Sequence, residues 1–124
     1  MRGIAFLFVA TAALFVTIGM VWGIQMSASG NHLLAGAHAH LNLIGWVTMG
    51  LFGIYYHLVP AAAGRMLAKI HYAVALLGVV TIVPGIVMAL TQQGDTLAKI
   101  GSMLTLLSMV IFLYTVISTR TRAA

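Results

Sequence analysis

The chain has no cysteine and, apart from Asp95, no acidic residue. Without thiols there is no disulfide, no thiolate metal site and no cysteine nucleophile. A single aspartate and no glutamate also exclude paired-carboxylate acid–base catalysis and carboxylate-rich metal sites. Charge of either sign is scarce: 6% of the 124 residues are charged, against 62% hydrophobic. No water-soluble domain has this balance. Proline occurs only at Pro60 and Pro84, so little interrupts helix formation.

What the chain does have is long apolar runs, each sufficient to cross a bilayer, at about 4–24, 33–58, 68–90 and 97–117. The connections are short and turn-rich: Ser27-Ala28-Ser29-Gly30, Pro60 to Arg65, and Gln92-Gln93-Gly94-Asp95-Thr96. The expected fold is an all-α integral membrane protein, an up-down bundle of four transmembrane helices with no separate soluble domain. The first run has a rival reading as a cleaved signal, with Arg2 as its charged region. Its apolar core exceeds the ~7 to 15 residues of such signals, so the helix is expected to stay. Arg2, Arg65, Lys69, Arg120 and Arg122 fall on one side and only Lys99 on the other. Basic residues are retained inside, which places both termini in the cytoplasm and the chain in the inner membrane. The formal charge of +5 is then a topology and anionic-lipid signal, and no nucleic-acid partner follows from it.

The most informative residues are His38 and His40, inside the second run. Ionisable groups at membrane depth are costly and mark function, and imidazole ligates iron, copper and zinc. On a helix the two point to faces roughly 160° apart, so one helix cannot clamp one metal with both. His38 aligns with Asn42, Gly45, Met49 and Tyr56; His40 aligns with Gly36, Leu43, Val47, Gly50 and, far below, His57. Glycines on both stripes suit a planar macrocycle lying against the helix, and Asn42 is placed to orient a ligand imidazole. Trp46 is placed to stack on such a ring, and Met49 is a weaker candidate axial ligand. His57 lies about 25 Å below His40 and cannot share its site. His57 and His71 are candidates to face one another, as a second site or through hydrogen bonds with Tyr55, Tyr56 or Tyr72. His32 reads as a solvated loop histidine. Gly19 and Gly23 have small-xxx-small spacing, a packing signal, and Pro84-Gly85 is a candidate kink in the third run.

The run His38-Ala39-His40-Leu41-Asn42-Leu43-Ile44-Gly45-Trp46, continuing through Met49, Phe52-Gly53, Tyr55-Tyr56 and Val59-Pro60, resembles the tenth helix of haem-copper oxidase catalytic subunits. It is most like the C-family terminal oxidases and bacterial nitric oxide reductases. The likeness covers about a quarter of the chain. It implies that one histidine ligates a high-spin haem and the next a low-spin haem. His40 and Asn42 with Tyr55-Tyr56 also resemble the second helix of the nitric oxide reductases, which carries the other low-spin ligand. Those subunits are built as three arcs of four helices, and this chain has the length of one arc. The resemblance therefore implies a homo-oligomer, a trimer rebuilding a twelve-helix ring, with haem held between protomers by His38 of one copy and His40 of the next.

The departures are equally definite. The copper-site histidines of the oxygen reducers and the iron-site histidines and glutamates of the nitric oxide reductases have no counterpart, and the sequence offers no evident proton route. Complete oxygen or nitric oxide reduction by this chain alone is not expected, and no catalytic residue is assigned. The expected function is haem b binding for electron transfer or gas response, with His38 and His40 as iron ligands and Asn42, Gly45, Trp46 and Gly50 around the cofactor. Expected partners are haem, membrane lipid, further copies of the chain, and a redox partner protein or quinol. The alternatives are a structural or assembly subunit of a larger oxidase or reductase, and a copper or zinc site. Copper is disfavoured by the missing cysteines and carboxylates.

Overall fold

The computed structural model describes residues 1–121; Arg122, used above to orient the chain, lies outside the described residues. Every regular element among them is helical: α1 (Gly3–Ser29), α2 (Ala35–His40), a π-helical segment (Leu41–Thr48), α3 (Met49–Leu58), the short α4 (Pro60–Ala63), α5 (Met66–Leu90) and α6 (Thr96–Ser118). Three of these, α1, α5 and α6, are long and apolar enough to cross a membrane. The second run differs from expectation, because it is not one long α-helix. It is α2, the π segment and α3 joined end to end, with His40, Leu41, Thr48 and Met49 all at right-handed helical angles across the joints.

Local sequence explains the ends. Gly30 adopts φ +69° and closes α1 by donating its N–H to the Met26 carbonyl at 3.0 Å, a left-handed cap that glycine takes without strain. Asn31 Oδ1 then accepts the Leu33 N–H at 3.0 Å, completing the tight turn that starts the second run. Pro60 opens α4 at a first-turn position, where its missing N–H costs nothing. Pro84 lies inside α5, and the helix continues through it.

Glycine sets how closely the helices meet. A Cβ on Gly85 would stand 2.5 Å from the Ala98 backbone nitrogen, and one on Gly101 would stand 2.5 Å from Ile82 Cα. The α5 and α6 backbones are therefore in direct contact. Gly53 serves the same purpose between α3 and α1, where a Cβ would meet Val9 Cγ2 at 2.6 Å and Phe8 Cβ at 2.9 Å. In lipid, where apolar burial between helices gains little, such close approach is what holds helices together. The interior is built from Phe8, Ala12, Leu41, Met49, Phe52, Tyr56, Ala75 and Val79, while large apolar side chains such as Ile24, Leu43, Leu51 and Leu113 cover the outside. An apolar exterior of this extent is that of a membrane-embedded bundle.

Candidate functional site

His38 and His40 sit in α2, just before the π segment, at the end of the bundle that carries the Gly30–Leu34 turn. Each imidazole is fixed by a carbonyl, and a carbonyl can only accept. His38 donates Nε2–H to the Gly19 carbonyl of α1 at 2.9 Å, so its lone pair is on Nδ1. His40 donates Nδ1–H to the Gly36 carbonyl one turn back at 2.7 Å, which leaves the Nε2 lone pair free at the outer tip of the ring. Backbone-held Nδ1–H with free Nε2 is the arrangement in which a histidine ligates a metal.

His38 and Asn42 are seated on the glycine pair of α1. The Asn42 amide lies directly over Gly19, and a Cβ on Gly23 would be 3.2 Å from His38 Nε2. Asn42 Nδ2 stands 3.5 Å from the same His38 nitrogen, while its buried Oδ1 has no hydrogen-bond partner. Trp22 meets the His38 ring edge-on with centroids 5.8 Å apart. The small-xxx-small spacing and the polar residues of the second run, separate signals in the sequence, are thus two sides of one contact.

An open groove runs along this face, lined by Val16, His38, Ala39, Asn42, Leu43, Trp46 and Val47. It brings together three of the predicted residues, His38, Asn42 and Trp46, with Trp46 at 40% exposure, whereas His40 does not line it. The two glycines go elsewhere. Gly45 is buried against Phe15, whose atoms would lie 3.1 Å from an added Cβ, and Gly50 faces Ala12 of α1. Met49 is fully buried in the interior, away from the groove.

A second polar cluster occupies the other end. His71 is completely buried, and the phenolic hydroxyl of Tyr56 lies 2.8 Å from its Nδ1. Phe8, Phe52 and Phe112 surround the ring at centroid distances of 5.2, 4.4 and 5.9 Å. His71 Nε2 has no hydrogen-bond partner. The expected meeting of His57 and His71 does not occur: His57 is exposed and lines a cavity with Arg2, Tyr56 and Pro60. The tyrosine one position earlier takes the inward place because His57 is on the outward stripe. Nearby, Tyr72 and Thr11 hydroxyls pair at 2.7 Å, and Tyr55 and Thr119 hydroxyls at 2.6 Å. His32 is exposed in its loop. Among the described residues, no three His or Asp side chains converge on a common point.

No family model, curated protein or solved structure matches the chain. The likeness to the oxidase helix therefore rests on the second run alone.

Proposed function

We propose that this chain is a four-span protein of the inner membrane, its fourth crossing being the joined run from Ala35 to Leu58, and that it holds haem b against α2 at His40. The observation that carries the reading is the His40 ring: Nδ1–H tied to the Gly36 carbonyl at 2.7 Å and Nε2 unengaged. His40 supplies one axial ligand through its free Nε2, and His38, held by Gly19 and lining the groove with Trp46 and Val47, keeps α2 in register on α1. On the His40 side of α2 a single copy provides one free imidazole nitrogen, so the second ligand comes from a neighbouring copy, and a trimer is the assembly that rebuilds a twelve-helix ring. When bound, the haem supplies one-electron chemistry or gas binding, and the protein tunes it through ligation and burial. A redox protein or quinol would exchange electrons with it. The positive residues Arg2, Arg65, Lys69 and Arg120 stand at the cytoplasmic end.

An absorption spectrum of the protein purified after haem-supplemented expression tests this. The expected result is a Soret band with sharp reduced bands, lost in His40→Ala and retained at lower occupancy in His38→Ala. Loss of haem from a folded His38→Ala variant would instead put His38 on the iron, as in the ring pairing of His38 with a neighbour's His40. No Soret band in the wild type would sink the haem reading and leave the bundle as a structural or assembly subunit.

A further inference from the structure

The cavity beside His57 carries positive charge that the protein does not neutralise. It measures about 650 Å³ and lies between the start of α1 and the junction of α3 with α4. Arg2 and His57, both exposed, are part of its lining. Arg2 is permanently charged, and an imidazole offers an N–H in either protonation state. The sequence holds one acid, Asp95, which stands beyond the far end of α5 and already pairs with Lys99 at 3.3 Å. No carboxylate of this chain, or of a second copy inserted in the same direction, can therefore answer Arg2. Its counter-charge comes from elsewhere.

Helix α1 adds to the same field. It opens with no side-chain cap and no acidic residue in its first turn, so the positive end of its dipole is uncompensated. Gly3, Ile4 and Ala5 of that turn line the cavity. Of the other basic residues at this end, Arg65 is committed to Ser118, to whose Oγ its Nη1 donates at 2.6 Å, while Lys69 and Arg120 are exposed outside the cavity. Depth decides which anion meets these groups. The 27 residues of α1 span about 40 Å at ~1.5 Å per residue, against a hydrocarbon core of about 30 Å. Its first turn therefore stands past the core, in the layer of lipid phosphates. The rest of the lining is largely apolar, with Ile4 and Pro60 near the cations. Tyr56 lines it from the interior, and its hydroxyl is engaged by His71.

We propose that this cavity seats the phosphate diester of one anionic lipid, with Arg2 and His57 donating to the phosphate oxygens and Ile4 and Pro60 against the glycerol. A free phosphate would present the same oxyanion, but exposed donors hold a dissolved ion weakly, whereas the lipid is already confined to their layer. A zwitterionic headgroup is disfavoured, because its cationic half would find no carboxylate. The site is independent of His40 and of haem.

The test uses the full chain prepared without added haem, stripped of lipid in a neutral detergent and titrated by native mass spectrometry. The probes are dioleoyl-phosphatidylglycerol, dioleoyl-phosphatidylcholine and inorganic phosphate. One phosphatidylglycerol per chain is expected, with phosphatidylcholine about tenfold weaker. Arg2→Gln combined with His57→Gln removes two charge-assisted hydrogen bonds and should weaken phosphatidylglycerol by about tenfold or more. Both residues are exposed, so the melting temperature should not change. Lys69→Gln combined with Arg120→Gln takes two charges from the same end outside the cavity and should leave the affinity within about twofold. Equal binding of the two lipids, undiminished binding to the folded Arg2 and His57 variant, or an equal loss in the Lys69 and Arg120 variant would each overturn the proposal. Displacement of the lipid by millimolar inorganic phosphate would assign the cavity to free phosphate and overturn it too.

Discussion

At the scale of single residues, the pair Tyr56 and His71 shows what a buried hydrogen bond is worth in an apolar chain. Tyr56→Phe leaves both nitrogens of a fully buried imidazole unpaired and should destabilise the protein by about 1–3 kcal/mol in detergent unfolding. His71→Leu should also be costly, because it strands a buried hydroxyl. In the double variant neither orphan remains, and the loss should be smaller than the sum of the two by about 0.5–3 kcal/mol. Strict additivity would mean that the 2.8 Å contact contributes nothing. The sequence pointed to His71 as a hydrogen-bonding residue but left three tyrosines open as partners. Choosing among them requires the α3–α5 packing, which no local pattern encodes. That Asn42 would lie beside the His38 imidazole was legible from their spacing; that it would rest on Gly19 was not, since nothing along the chain links residues so far apart.

At the scale of elements, hydropathy made the helices readable because a bilayer imposes one length on every crossing. It could not reveal the π segment, since Leu41–Thr48 contains no proline and its apolar composition fits any helix. A phase drawn at 100° per residue kept His38, Asn42 and Gly45 toward α1 and Met49 and Tyr56 in the interior, whereas Gly50, drawn on the other stripe, meets Ala12 of α1. The α5–α6 contact gives a sharper element-scale expectation. Gly101→Ala and Gly85→Ala place a methyl against neighbouring backbone, which cannot swing aside as a side chain can. Each should force the pair apart and destabilise the protein by about 1–3 kcal/mol. Gly36→Ala meets only Leu90 Cδ1 at 3.9 Å and should be nearly neutral in the same thermal-shift series. Equal melting temperatures for all three would show that the close approach carries no stability.

At the scale of the whole molecule, the scarcity of charge is itself a constraint on orientation. The connections at Pro60 to Arg65 and at Gln92 to Asp95 lie at opposite ends of α5. Basic residues gather at the first, whereas the second has only Lys99, paired with Asp95 at 3.3 Å on the exposed surface. The local charge of that end is therefore close to neutral, and nothing there resists translocation. With no native cysteine, single thiols report sidedness without background. Ala61→Cys and Gln93→Cys both replace exposed residues outside the packed interior. In intact cells a membrane-impermeant maleimide should label the Gln93 variant at once and the Ala61 variant only after permeabilisation. An even number of crossings also requires a thiol at Arg2 to behave like the one at Ala61. If the joined run from Ala35 to Leu58 failed to cross, Gln93 would share a side with Arg2 and Ala61 would keep company with Gly30, so Arg2 and Ala61 would be labelled from opposite sides. The α2 segment would then lie in the interface instead of the membrane, and the reading of His40 as an intramembrane ligand would fall with it.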